Sequence, residues 1–421
     1  MMRPSSAFVN IAALSARKQR LLPKQYYSSS SLTSLLNSNI HNPSNGRDSG
    51  ASRRSFTRGG ISSRHHPSFP SLQQQPGRPI TTTIAAAAAS SADTASSHDS
   101  NGEDDKEKHD KFFQMEHRNW EQGYEEYDTG FGPLTQQTIP TLLANAGYPP
   151  SSSSRNNHSD DDTTFRVLDV ATGPGFVLSA AMQMASTAVL SLPDNSDKPT
   201  FQLTGLDITQ NFLSMAKQRI HAQQQQQNDR QSNQIQVNFV QGNAESLPFP
   251  DNTFNSIVCN FGILHFFQPD SFLRESYRVL RPGGKVSFSC WAPPARTEGF
   301  GITLQSITEV GNPNVAVPEG PNFFRFGEVD ESRRTLEGIG FVNVGATELS
   351  DMKWNNVRDG TMLYHILSNG TVRTKEILLG QTKEEAVAVE AMVVEKYNLV
   401  TEGGKRPLAM PAVVSSGQKP V

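Results

Sequence analysis

Cysteine is nearly missing from this 421-residue chain: there are two, Cys259 and Cys290. That excludes a disulfide framework, and neither cysteine stands in a metal-ligand spacing, so no metal site is expected. Both lie inside apolar, strand-like runs and should be buried thiols. Long apolar runs are absent too. No stretch approaches the roughly 18 residues a membrane-spanning helix needs, and an alanine tract, residues 85–89, is the nearest candidate, so a soluble protein is expected. Acid is the third scarcity. Residues 1–92 hold one acidic side chain, Asp48, against eleven arginines and lysines, amid Ser, Gln and Ala runs. Such a stretch cannot bury enough apolar surface to offset its ordering entropy and reads as disordered. Basic, Ser-rich and acid-poor is also the pattern of an organelle transit peptide. Residues 8–14, beside Arg17-Lys18-Gln19-Arg20, have the makings of one short basic amphipathic helix. Mitochondrial import is the expectation, with an unprocessed tail on a cytosolic protein as the alternative. Of the chain's 38 basic and 41 acidic residues, 27 and 40 lie beyond that leader, a formal charge of −13. A chain of that sign does not grip a phosphate backbone, so no nucleic-acid partner is expected.

Beyond a polar link at 104–108 the sequence acquires pattern. Phe113, His117, Trp120, Tyr124, Tyr127 and Phe131 recur at steps of three and four, one face of a helix that Asp128-Thr129-Gly130 should end. Strand-like runs at 165–170, 201–206, 235–240, 256–260 and 285–291 then alternate with helical stretches at 177–189, from Thr209 toward Ile220, and at 271–280. That alternation predicts an α/β fold, a Rossmann-like, doubly wound, mostly parallel sheet whose strand carboxyl ends share one ligand-binding rim. Ser191–Thr200 and the glutamine tract at 223–227 read as surface insertions without chemistry. After Trp291 come a Pro/Gly-rich segment, helices near 328–338 and 383–397, and a last strand at 412–415. The expected organisation is a leader over 1–108, a lid helix and ligand-binding domain over 109–292, and a helical cap with closing strands over 293–421.

The densest motif is Val167-Leu168-Asp169-Val170-Ala171-Thr172-Gly173-Pro174-Gly175-Phe176, a strand running through glycines into a helix. Glycines suit a turn where a ligand approaches the backbone, and the helix start offers free N–H groups. A dinucleotide site would want a third glycine where Leu178 stands, so a pyrophosphate loop is disfavoured. Alone, the motif is an ordinary strand-to-helix turn, but others follow at each strand end. Asp207 stands after the second strand, where a carboxylate can accept two bonds from ribose hydroxyls; by itself it would be a helix-start residue. Gly242-Asn243-Ala244-Glu245 follows the third strand, with the Asn243 amide placed to read an adenine edge. Asn260-Phe261-Gly262-Ile263-Leu264-His265 follows the fourth, and Pro282-Gly283-Gly284 turns the chain into the fifth.

In order and spacing, the block from Phe165 to Trp291 resembles the methyltransferase domain family that includes the ubiquinone and menaquinone biosynthesis C-methyltransferases. The resemblance implies a class I fold with S-adenosyl-L-methionine as cofactor and methyl transfer to a small-molecule acceptor. It implies further that Asp169, Gly173 and Gly175 border the methionine end, that Asp207 holds the ribose and Asn243 and Ala244 the adenine edge, and that Asn260 forms the floor beside the sulfonium. Three positions depart from the family's pattern. Ala171 replaces a glycine, Asn243 stands where the family has Asp, which removes a charge, and Asn255 replaces an Asp after Phe254. Signatures specific to the quinone enzymes are not evident outside the block, so quinone specificity does not transfer.

Methyl transfer from a sulfonium is an in-line displacement to which a protein contributes orientation and dryness, plus a base where the acceptor must lose a proton. His265 is the candidate base, with a merely packed histidine as the alternative, since no orienting partner is visible in the sequence. Core packing is expected of Trp120, Tyr124 and Tyr127, a lid over the cofactor being the alternative, and Phe323-Phe324-Arg325-Phe326 is expected to anchor the cap, the alternative being that it lines a pocket for an apolar or anionic substrate. A catalytically weak, methyltransferase-like assembly protein of mitochondria is the competing function, and a nicotinamide oxidoreductase a distant third.

Overall fold

The structure, a computed structural model, describes residues 101–150, 164–191, 199–226 and 233–421. The transit-peptide reading of the leader falls on residues before 101, and most of the 191–200 insertion falls on 192–198; both lie outside the described residues.

Helix α1 spans Asn101–Gly130, so the charged link at 104–108 is helical and lies in its first turns. Lys111 and Glu107, one turn apart, pair across it. Gly123 does not break the helix, because there the backbone of a neighbouring helix comes so close that a Cβ would meet the Asn369 carbonyl at 2.7 Å. Two short helices follow, α2 (Gly132–Thr135) and α3 (Ile139–Asn145). Then come β1 (Thr164–Val170), α4 (Phe176–Leu190), β2 (Thr200–Asp207), α5 (Gln210–Gln224), β3 (Ile235–Gln241), β4 (Phe254–Asn260), α6 (Pro269–Val279) and β5 (Leu280–Trp291). Thr209 occupies the N-cap position of α5 as expected, but its side chain caps nothing in that helix. The glutamine tract begins inside α5, where Gln223 exchanges hydrogen bonds with Ser179 of α4, and its start is therefore an element of packing.

The sheet order is β3-β2-β1-β4-β5-β9-β6. Strands β1 to β5 are mutually parallel, and β9 (Ala412–Gln418) runs antiparallel between β5 and β6 (Val342–Leu349). The doubly wound, mostly parallel sheet read from the sequence is what the described residues form, and the strand foreseen at 412–415 is the reversed one. Both faces are covered. Val167, Leu203 and Val258 point to a core completed by Leu142 and Leu143 of α3 and Ala181 and Met182 of α4. Leu168, Ile257 and Cys259, one residue out of phase, point to the opposite core with Phe272 of α6, Phe288 and Leu336. Cys259 and Cys290 are free and buried.

The remaining elements are α7 (Glu298–Val310), α8 (Val329–Ile339), the two-residue strands β7 (Lys353–Trp354) and β8 (Leu408–Ala409), α9 (Gly360–Asn369), α10 (Arg373–Leu379) and α11 (Lys383–Val400). Helix α8 backs the sheet. Helices α7 and α9 both pack on α11, through Phe300, Ile307, Leu363, Leu367, Val389 and Val393. Asp359 caps α9 by accepting from Met362 N at 2.7 Å, and Thr382 with Glu385 closes a capping box on α11. Trp354, fully buried, donates Nε1–H to the Gly130 carbonyl at 2.9 Å and so joins this cap to the end of α1.

Candidate functional site

The sheet order turns around between β1 and β4, so the loops leaving these strands diverge and open a crevice at their carboxyl ends. After β1 the backbone is left-handed three times in five residues, at Ala171 (φ 53°), Gly173 (52°) and Gly175 (81°). The two glycines serve different ends. A Cβ on Gly173 would have nothing within 4 Å, so its backbone faces open space, whereas one on Gly175 would come within 2.9 Å of the Ala216 Cβ on α5. Ala171 takes a conformation that costs a non-glycine residue roughly 1–2 kcal/mol.

Asp207, at the tip of β2, draws the loop into place. Its Oδ2 accepts from Gly173 N at 2.8 Å and its Oδ1 from Thr209 N and Oγ1 at 3.0 and 2.9 Å. Three protein donors therefore occupy three of about four carboxylate lone-pair sites, which leaves room for one further donor rather than two. Burial raises its pKa against these bonds. Asp169 lies behind the loop and off the cavity wall, with one oxygen accepting from Thr172 Oγ1 at 2.6 Å and the other, Oδ1, without a partner. Burial, with the Asp207 charge nearby, pushes its pKa up to about 7 against that hydrogen bond.

The next two strand ends are equally tied. Asn243 Oδ1 accepts from Glu245 N at 2.9 Å, fixing the turn after β3 and leaving the amide nitrogen for a ligand. An Asp at that position would present a charge but no donor. Asn260, ending β4, accepts from Thr138 Oγ1 at 2.6 Å and Ser289 Oγ at 2.7 Å, and donates to the Thr135 carbonyl at 3.1 Å.

Gly173, Asp207, Asn243, Ala244, Asn260 and His265 all line one cavity of about 1690 Å³; Asp169 and Gly175 do not reach it. That volume exceeds the 300–1,000 Å³ usual for one small ligand and has room for two. Its far side is formed by residues between 293 and 377, inside the region expected as a cap over 293–421, with Phe300, Val317, Phe323, Phe324 and Arg373 on the wall. The Phe323–Phe326 segment is divided: Phe323 and Phe324 face the cavity, and only Phe326 is the buried anchor, edge-on to Phe288.

The third wall is α1, and here the expectation of simple core packing is corrected. Of the stripe chosen from the sequence, Phe113, His117, Trp120 and Tyr127 are half-buried on the cavity wall, whereas Phe131 is buried in the core. Trp120 lies edge-on to His265 and tilted against Phe212, and Tyr124, off the cavity wall, lies edge-on to Phe212. The more deeply buried face is one residue round the helix, Phe112, Met115, Glu116 and Asn119, of which Phe112 and Glu116 also reach the cavity wall. Burial pushes the Tyr127 phenol up to about 12. The helix is pinned to the ligand-binding side by Glu121, which accepts from Gln210 N at 2.8 Å and so caps α5 from outside. It is pinned also by Asp128, bound at 2.7 Å by Arg219, whose guanidinium additionally reaches the Pro174 carbonyl. On the cap side Arg118 and Asn119 both hold Glu376, at 2.7 and 2.6 Å.

Glu116 is the residue the sequence reading missed. Its Oε2 lies 3.0 Å from His265 Nδ1 and accepts from Trp120 Nε1 at 3.1 Å, and its Oε1 lies 3.7 Å from Arg373 Nε. His265 thus has the orienting carboxylate that the sequence did not reveal. The available signal was a glutamate inside an apolar helical stripe.

Residues 168–288 match the family model described as a methyltransferase domain. Among curated relatives, demethylmenaquinone methyltransferase of Deinococcus radiodurans is 32% identical over 130 residues, 31% of this chain and 44% of that one. The 2-methoxy-6-polyprenyl-1,4-benzoquinol methylase, mitochondrial, of Dictyostelium discoideum is 36% identical over 133 residues, 28% and 40% of the two chains. The chain spans less than half the length of these relatives. Among solved structures, loganic acid methyltransferase superposes with a TM-score of 0.48 at 13% identity, covering 70% of this chain and 96% of that one.

Proposed function

We propose that this chain, whose residues 168–288 match the methyltransferase domain family, is an S-adenosyl-L-methionine-dependent methyltransferase acting on a small-molecule acceptor. One observation carries the reading: the exposed Gly173 backbone and Asp207 carboxylate share a two-ligand cavity with a histidine–glutamate pair. The space left at Gly173 and the unfilled lone pair on Asp207 fit a ligand bearing ribose hydroxyls. S-adenosyl-L-methionine, when bound, supplies a methyl group already activated on a positive sulfur.

The protein's part is holding and drying. Asp207 accepts from the ribose, Asn243 and Ala244 flank the adenine edge, Asn260 is the floor, and Asp169 and Gly175 shape the glycine loop from behind. Trp120 and Tyr127 close the cavity from above and exclude water. His265 takes the acceptor's proton on Nε2 while Glu116 accepts from Nδ1–H, fixing the tautomer and stabilising the imidazolium that forms. The relatives are named for quinone precursors, but the acceptor of this chain is proposed only as a small molecule.

Calorimetric titration of the protein with S-adenosyl-L-methionine, and separately with NADH, tests the reading, with Asp207→Ala as control. Binding of the first alone, weakened in the variant, is expected. A folded sample that binds no S-adenosyl-L-methionine would move the assembly-protein alternative to first place. The basic, acid-poor leader supports a mitochondrial location, which the relative from Dictyostelium carries in its name. Residues 1–100 fused to a fluorescent protein should direct it there, and a cytosolic signal would refute that.

A further inference from the structure

Arg373 opens helix α10 on the cavity wall, with four-fifths of its side chain out of solvent. Its guanidinium lies 4.8 Å from the ring centre of Phe112 and 5.8 Å from that of Phe323. It has five N–H donors. Nη1 donates to the Pro321 carbonyl, but Nε and Nη2 are buried with no hydrogen-bond partner. The nearest carboxylate, Glu116, does not satisfy them: its Oε1 stands 3.7 Å from Nε and is itself without a hydrogen bond, because its Oε2 is already engaged by Trp120 and His265. Burial without full compensation pulls the arginine's pKa down. Leaving such donors unsatisfied is costly, and a wall of aromatic rings around them supplies no acceptor.

We propose that Arg373 is the acceptor-recognition residue of this cavity and that the acceptor is an apolar, flat-bodied molecule carrying an oxyanion, a carboxylate in its simplest form. The inference rests on the reading of the cavity as a two-ligand methyltransferase site and names the class of its second ligand. An oxyanion against Arg373 supplies the missing acceptors in a charge-assisted pair. The apolar body lies among Phe112, Phe323 and Val317. One glutamate side chain separates the arginine from His265, so the oxyanion and the atom losing its proton sit on neighbouring parts of the acceptor. Glu116 opposes the anion while orienting the histidine, and its charge should therefore weaken binding.

The test is binding of cinnamate and of 2-naphthoate by the full chain, each against its neutral amide, with no S-adenosyl-L-methionine present. Preference for the acid by about tenfold or more is expected in at least one pair, the size of a charge-assisted hydrogen bond. Arg373→Gln should erase that preference and Arg373→Lys should keep part of it. Glu116→Gln should tighten the acid several-fold and leave the amide unchanged, a gain that no loss of packing produces. Equal affinity for acid and amide in both pairs, or an undiminished preference in folded Arg373→Gln, would overturn the proposal. Where Arg373→Gln does not fold, the acid preference of the unaltered protein and the Glu116→Gln gain decide it. Cofactor binding without acid preference sinks this inference alone, whereas acid preference without cofactor binding sinks the methyl-transfer reading and leaves the anion site.

Discussion

The two ends of the cavity are built in different ways. At the strand ends, Asp207 is held by Thr209, two residues away, and by Gly173, 34 residues away, and Asn260 has three partners, Asp169 Oδ1 being the buried atom left without one. At the cap end, Glu116 meets His265 across 149 residues of chain, and Nε and Nη2 of Arg373 go unmet. The first end is a fixed cradle written in local motifs; the second is an assembly of three separate segments whose polar atoms await a partner. The strand end should therefore govern cofactor affinity and the cap end turnover and acceptor choice.

The largest effect should separate these roles. His265→Ala is expected to lower kcat by about 10²–10⁴, the usual worth of a positioned general base, with S-adenosyl-L-methionine affinity unchanged. Glu116→Gln should lower kcat less and displace its pH profile, because the imidazolium loses its counter-charge. Turnover in His265→Ala equal to the parent's from pH 6 to 9 would reduce the histidine to packing.

Asp169 tests the strand end without touching the ligand. Its carboxyl titrates at about 7 in the fold against an ordinary 3.8, so the folded state binds the proton more tightly than the unfolded one. Stability from this group is complete below about pH 4, drains as pH rises, and is gone above 7, a span on the order of 4 kcal/mol. Asp169→Asn cannot lose a proton, so its melting temperature should overtake the parent's as pH rises from 5 to 8. A constant difference between the two across that range would contradict the burial argument.

Asp207→Ala comes next. It removes one charged acceptor from the ligand and frees the Gly173 N–H that anchors the loop, a loss of about 1.5–3 kcal/mol in S-adenosyl-L-methionine binding, or roughly ten- to hundredfold. Preference for acids at the other end should survive it. If acid binding collapsed too, the two ends would be one cooperative unit and the comparison would fail.

What was legible in the sequence follows the same division. Strands β1 to β5 were readable because a parallel sheet covered on both faces needs apolar runs, and their ends because glycine, Asp and Asn there answer local backbone demands. Strand β6 was not readable. It is half-exposed along much of its length, has Gly345 in its middle, and pairs only with β9, so neither alternation nor a buried run announces it. Helix α1 was readable as a helix, but the face chosen was wrong by one residue, because large aromatics facing a cavity mimic a core stripe while Glu116 and Asn119 disguise the packed face. Arg373 and Glu116 carry no motif, and only the fold makes them neighbours.

The smallest expected effect concerns the hinge between the two ends. Helix α1 touches both, and on the strand side its hold includes the Glu121 carboxylate on the first N–H of α5. Thr209, the chain's own residue at that position, spends its hydroxyl on Asp207 instead, so the helix start depends on a cap from another helix. Glu121→Ala should cost about 1 kcal/mol of stability, as loss of a cap does. The Arg219–Asp128 pair at the end of α1 and the Arg118–Glu376 pair at its middle still hold the helix, so the cavity should not come apart. What should change is the fit of Trp120 and Tyr127 over the cofactor: a KM for S-adenosyl-L-methionine raised a few-fold, an unchanged kcat, and faster hydrogen exchange confined to the first turn of α5 and the middle of α1. Exchange that quickened instead across α9 and α10 would mean that α1 moves with the cap as one body, and that the site has a mobile half rather than a fixed cradle with a tethered lid.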